Sequence, residues 1–250
     1  MEEFEKIRLK ERDIEDMRIL KYEDNSNKPK IWLSDDIMYK KDIFQIMKRY
    51  YEYIKLFRNA KELDFCVFPE KLFSVDGKYM GYTTPYYYGY KSINSRMHKN
   101  KYSYKDKKEL MLKIYKMIKT IHEYEFLHGD LKCSNLIWSN KDIKLIDFEK
   151  IRIRECEDPA IYNIVSKEET NYLNLVLLSV LFDIDMSFAM DMEFKEFLDD
   201  ISFPMEFKEY LLNCVEYKEI EISPELPKYI KSISKKNIVE GKELVKSLQL

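Results

Sequence analysis

The first 76 residues of this 250-residue chain contain no glycine, and the whole sequence holds five: Gly77, Gly81, Gly89, Gly129 and Gly241. Average usage of ~7% would give roughly seventeen. Folds that cradle phosphate on a glycine-rich turn near the start of a βα unit, with G-x-G-x-x-G or G-x-x-x-x-G-K-[ST], need glycine where backbone N–H groups approach an anion. This chain has no place for such a turn, so the doubly wound dinucleotide folds and the P-loop folds are excluded. Only three alanines, Ala60, Ala160 and Ala189, accompany the five glycines, while Lys, Ile and Tyr abound. That bias points to AT-rich coding sequence and makes each surviving glycine more informative.

Lys and Arg number 43 against 45 Asp and Glu, a formal net charge of −2. That near-balance argues against bulk binding to nucleic acid or anionic membrane, which needs a basic face or tail. With 45% hydrophobic, 14% aromatic and 35% charged residues, the chain can bury a core in one large domain or two lobes. The start, Met1-Glu2-Glu3-Phe4-Glu5-Lys6, has neither the basic residues nor the apolar core of a signal peptide. The longest apolar stretch, 172–182, includes Asn174 and Ser179 and ends at Asp183, short of the ~20 residues that a bilayer requires. No membrane insertion is expected. Cys66, Cys133, Cys156 and Cys214 form no C-x-x-C pair, so reduced thiols and a cytoplasmic location are expected.

Signals change character near residue 90. Strand patterns at 30–33 and 37–40 flank Ser34, Asp35 and Asp36, which reads as a hairpin. Ile43, Met47, Tyr50, Ile54 and Phe57 recur at helical spacing and predict an amphipathic helix over 42–58. Strands are expected at 17–22, 66–73 and 78–83, the last two separated by Val75-Asp76-Gly77. Pro85 and Gly89 bracket Tyr86, Tyr87 and Tyr88, and the connection between lobes is placed there. Beyond it, Ser103 with Asp106 forms a capping box ahead of the stripe Leu110, Ile114, Met117, Ile118 and Ile121. At least three helical patterns follow Glu168, one opening at Pro204 and one after Ser223-Pro224. The expected class is α+β, with a β-rich lobe over 1–84 and a helical lobe over 85–250.

The most informative stretch is His128-Gly129-Asp130-Leu131-Lys132-Cys133-Ser134-Asn135, followed by Ile143-Lys144-Leu145-Ile146-Asp147-Phe148-Glu149. Residues 136–138 and 143–145 flank the polar turn Ser139-Asn140-Lys141-Asp142 and should pair antiparallel. A symmetric four-residue turn makes paired residue numbers sum to 281 and sets Asn135 opposite Ile146, with Asp147 one step beyond. An amide oxygen and a carboxylate at one end of a hairpin suit Mg²⁺, completed by phosphate oxygens and water. Asp130, on the loop entering that end, can orient a hydroxyl and accept its proton. The chemistry implied is phosphoryl transfer.

This arrangement resembles the protein kinase-like superfamily, whose catalytic loop runs H-[RG]-D-x-K-x-x-N and whose metal motif begins Asp-Phe. Ile121-His122-Glu123 before Phe126-Leu127-His128 looks like the end of the helix leading into that loop. The resemblance implies a two-lobed fold and an ATP- and Mg²⁺-dependent enzyme. Asp130 would be the catalytic base or hydroxyl-orienting residue, Lys132 the γ-phosphate contact, and Asn135 and Asp147 the Mg²⁺ ligands. His128 and His122 would be packing residues, and His98 a surface residue. Ile37-Met38-Tyr39-Lys40 looks like the strand that brings a lysine to the α- and β-phosphates, with Lys41 the competitor for Lys40. Glu52, the only acidic residue between Gln45 and Arg58, would pair with that lysine or stand as a solvated helix-face charge. Backbone groups of Thr84 and Tyr86 would contact adenine.

Four features depart from or divide the family pattern. Asp24-Asn25-Ser26-Asn27-Lys28 stands where a glycine-rich loop is usual; Asn and Asp tolerate positive φ, so a turn can form with looser phosphate contact. Asp147-Phe148-Glu149 replaces Asp-Phe-Gly and resembles the aminoglycoside and choline kinase branch; it implies a site locked in its metal-binding state. Gly129 replaces the arginine that reads a phosphorylated activation loop, and no Ala-Pro-Glu follows, so control by that phosphorylation is not expected. Lys132 instead resembles Ser/Thr protein kinases. A protein Ser/Thr hydroxyl is therefore favoured as acceptor over a small molecule. A pseudokinase scaffold is the alternative from another functional class.

Overall fold

A computed structural model describes residues 6–22, 29–42, 46–97, 103–139, 142–186, 192–216 and 221–248. The chain divides into two compact units, the first comprising Met1–Tyr90 with Lys144–Lys150, the second Lys91–Ile143 with Ile151–Leu250.

The first unit contains β1 (Lys6–Leu9), α1 (Glu11–Glu15), β2 (Arg18–Tyr22), β3 (Pro29–Ser34), β4 (Ile37–Lys41), α2 (Ile46–Arg58), β5 (Lys71–Val75) and β6 (Lys78–Pro85). Its six strands form one sheet in the order β1-β5-β6-β4-β3-β2. β1 runs parallel to β5 and the other neighbours are antiparallel. Trp32, Tyr39 and Phe73 gather Ile7, Leu9, Ile14, Met17, Val75 and Met80 into a core on one face. The β3–β4 hairpin pairs Ser34 with Ile37 across Asp35-Asp36, and Asp35 takes φ 50°, a left-handed value that aspartate adopts more readily than most residues. Gly81 is required for a steric reason. A Cβ there would lie 1.9 Å from the Lys40 carbonyl oxygen, so only glycine lets β6 approach β4 at that register.

The helix expected over 42–58 is present as Ile46–Arg58, with Tyr50, Tyr51 and Ile54 buried; residues 43–45 are outside the described set, as are the 24–28 loop and His98. The strand expected over 66–73 is displaced to Lys71–Val75. Before it, Leu145 is clasped by backbone bonds, its N–H donating to Phe65 at 2.9 Å and its carbonyl accepting from Val67 at 2.8 Å. Pro69 follows, a residue without an N–H for a ladder.

The second unit contains β7 (Lys91–Ser92), α3 (Ile93–Met97), α4 (Tyr104–Glu123), β8 (Phe126–Leu127), β9 (Leu136–Trp138), β11 (Arg152–Ile153) and α5–α9; β10 (Ile143–Leu145) spans the division between the units. The five helices are α5 (Pro159–Phe182), α6 (Met192–Asp200), α7 (Met205–Val215), α8 (Leu226–Ser232) and α9 (Lys235–Leu248). Ser103 caps α4 in the expected capping box, its Oγ accepting from the Asp106 N–H at 3.2 Å. α5 begins with Asp158 accepting from Ala160 and Ile161, followed by Pro159 at the first position. Residues 173–182 are almost all buried around the whole circumference of α5, as expected of a central helix packed by α4, α7 and α9. Its end is fixed by Asp183 in the left-handed conformation, ion-paired to Lys107 at 2.6 Å and Lys242 at 2.9 Å. No helix among the described residues is long and apolar enough to cross a membrane.

Candidate active site

In the first unit, Lys40 is 4% exposed on β4. Its Nζ lies 3.1 Å from Asp147 Oδ1. Asp147 has φ 71° and opens a 3₁₀ turn, Phe148–Lys150. Phe148 is buried and packs on Phe68 with ring centroids 4.7 Å apart, and Phe68 meets Phe57 of α2 at 6.1 Å. Glu149 accepts from Lys30 Nζ at 3.1 Å and from the Tyr82 hydroxyl at 3.5 Å. Tyr82 stands opposite Lys40 in the β4–β6 ladder. Burial, then the carboxylates Glu149, Asp147 and Asp42, push its phenol well above the ordinary range. Glu52 is exposed on α2, and the carboxylate that meets Lys40 is Asp147.

Thr84 is 3% exposed, and its hydroxyl is buried without a hydrogen-bond partner. Leaving such a group unmet costs about 1–3 kcal/mol, a penalty that a polar ligand would remove. Tyr86 donates its backbone N–H to the Asp36 carbonyl at 2.8 Å, which ties the segment after β6 to the β3–β4 turn. Of its two backbone groups, the carbonyl is therefore the candidate contact for a base.

In the second unit, the residues of the sequence motif form one hydrogen-bonded loop. Lys132 Nζ lies 2.5 Å from Asp130 Oδ2. Asn135, 4% exposed, donates its amide to the Asp130 carbonyl at 2.9 Å and to Asp130 Oδ2 at 3.2 Å. The amide oxygen is thereby the atom of this side chain that could ligate a cation. The fully buried His128 accepts the Asp130 N–H on Nδ1 at 3.2 Å. After the loop, the Ser139 N–H donates to the Asp142 carbonyl at 2.9 Å, the pairing expected for the 281 register.

The motif did not reveal what holds this loop. Glu169, on α5 and fully buried, accepts the His128 N–H at 3.1 Å, the Gly129 N–H at 2.6 Å and a bond with His122 Nε2 at 2.9 Å. Burial pushes its carboxyl up, but His122, His128 and the Gly129 N–H outweigh it and hold the group below its ordinary value. Gly129 has φ 75°, a backbone conformation that glycine adopts at little cost. A signal for Glu169 was present: Glu169, Thr170 and Asn171 adjoin an apolar stretch too long to leave one face of the helix polar.

A protein kinase domain model matches residues 77–160, a stretch that includes β6, the Asp130 loop and Asp147. No curated protein matches the chain. The protein is thus an α+β molecule that is similar over that stretch to protein kinase domains, and the similarity supports phosphotransfer chemistry.

Proposed function

We propose that this protein is an ATP- and Mg²⁺-dependent phosphotransferase whose acceptor is a protein serine or threonine hydroxyl. The observation that carries the reading is the Asp130 network. One carboxylate oxygen is held by Lys132 and Asn135, and the loop backbone is pinned by the buried Glu169. A carboxylate so fixed can orient a hydroxyl and accept its proton as the phosphoryl group arrives. Lys132, whose side chain is half exposed, can move from Asp130 to the transferring phosphate and offset its charge. Its position two residues after Asp130 resembles that in Ser/Thr protein kinases, and this resemblance supports a protein acceptor.

Lys40 would hold the α- and β-phosphates, while Thr84 and Tyr86 would meet adenine. The Thr84 hydroxyl, buried without a partner, supports that placement. The donor chemistry fits Mg²⁺: Asp147 offers a carboxylate and Asn135 an amide oxygen, hard ligands of the kind that Mg²⁺ takes together with phosphate and water. When bound, the ion would neutralise charge on the phosphates.

Incubation with Mg²⁺ and γ-labelled ATP tests the reading against the protein itself, generic protein substrates and a small-molecule panel. Labelled phosphoserine or phosphothreonine is expected, and Asp130→Asn should lower the rate about 10²–10⁴-fold. Transfer to a small hydroxyl compound alone would move the protein to the aminoglycoside and choline kinase branch. Absence of transfer, with ATP binding that ignores Mg²⁺ and survives Asp147→Ala, would make it a scaffold.

A further inference from the structure

Lys30 has no part in the function proposed above. It lies on β3, the first strand after the glycine-free segment 24–28. Its ammonium sits 3.1 Å from Glu149, with the two side chains 22% and 27% exposed. Lys40 makes the equivalent pair with Asp147, also at 3.1 Å. Two lysines from adjacent strands therefore converge on carboxylates two residues apart, at one tight turn. Tyr82 joins the two pairs: it is paired with Lys40 across the ladder, and its hydroxyl reaches Glu149.

An ammonium on a four-carbon stem is a compact, mobile charge well suited to phosphate oxygens. A partly exposed ion pair adds little to stability and is readily exchanged. The Glu149 carboxylate can therefore hold Lys30 while no stronger anion is present, and a polyphosphate can draw it away. We propose that Lys30 is a second phosphate-binding cation of the nucleotide site. It would replace with charge part of the anion binding that a glycine-rich loop provides through backbone N–H groups. The ligand class is the polyphosphate of a nucleoside triphosphate, and the inference rests on the reading that the first unit binds ATP.

Equilibrium binding of Mg²⁺·ATP and of adenosine, measured by calorimetry on the full chain, tests it. Lys30→Met is expected to weaken ATP about tenfold, the effect of losing one charge-assisted contact, with adenosine unchanged. Lys30→Arg should retain ATP affinity, and it keeps the test open if the methionine variant does not fold. Glu149→Gln should bind ATP as well as wild type or better, because Lys30 then no longer has to leave the Glu149 carboxylate. The proposal is overturned if Lys30→Met binds ATP normally or loses ATP and adenosine equally. It is also overturned if Glu149→Gln loses as much affinity as Lys30→Met, since the ion pair would then be structural. Failure of the wild type to bind ATP would remove the underlying reading as well. Loss of ATP binding on Lys40→Met but not on Lys30→Met would remove this inference alone.

Discussion

Replacing Glu169 with alanine should uncouple the Asp130 loop from α5. The carboxylate accepts two backbone N–H groups and a histidine nitrogen, and His128 and Glu169 are both buried. Each buried donor left unmet costs about 1–3 kcal/mol. Against that sum stands the desolvation of the carboxylate, which the substitution removes. His122 also keeps some access to water, its side chain being 15% exposed. The net loss should match that of breaking a buried charge pair, about 3–5 kcal/mol. Glu169→Gln should lose nearly as much, because one of its two terminal atoms becomes a donor facing donors. Denaturant unfolding gives the energy, and hydrogen exchange at the His128 and Gly129 amides locates it. The pH dependence follows the same logic. A carboxyl held lower in the folded state than in the unfolded chain stabilises the fold above the unfolded value, near 4.3. That stabilisation is lost as pH falls through the folded value, so the Gln variant should show a shallower loss of stability in acid. An alanine variant within about 0.5 kcal/mol of wild type, with unchanged amide protection, would refute the anchoring argument.

Thr84→Val should leave the unliganded fold as stable or more stable, because it removes an unmet buried hydroxyl; it should weaken ATP, and opposite signs in thermal unfolding and in calorimetry are the signature. Gly81→Ala should fold poorly, since its Cβ would enter the Lys40 carbonyl at 1.9 Å; soluble yield and circular dichroism would show it. Burial pushes the Cys133 thiol up to about 12, so mass spectrometry should find it unmodified by iodoacetamide at pH 8 until the protein is unfolded.

Local signals carried much of the fold and of the site. The β3–β4 hairpin was legible because two strand runs flank Asp35-Asp36, and α4 because a capping box precedes an apolar stripe. The Asp130 loop was legible because its chemistry lies within eight residues, His128 to Asn135. What remained hidden depends on distant partners. Glu169 stands 40 residues from Gly129, and Lys30 stands 119 from Glu149. β1 has only Ile7 and Leu9 among charged neighbours and acquires its identity from parallel pairing with β5. The strand expected over 66–73 shifted because Phe65 and Val67 bond to Leu145, a tertiary demand that outweighs local β-propensity.

The scarcity of glycine also has a structural resolution. Among the described residues, the non-glycine positions with positive φ are Asp35, Asp76, Glu125, Asp147 and Asp183. Four of these five are aspartate, whose short polar side chain makes the left-handed region less costly than it is for other residues. Turns that elsewhere take glycine are thus built from aspartate, and the substitution has a chemical consequence. At Asp183 the carboxylate that turns the chain also receives Lys107 and Lys242; at Asp147 it receives Lys40. Aspartate cannot replace glycine where the Cβ itself would collide, as at Gly81. In this protein a turn residue is often an ion-pair acceptor, and the carboxylate that meets Lys40 belongs to the residue that bends the chain.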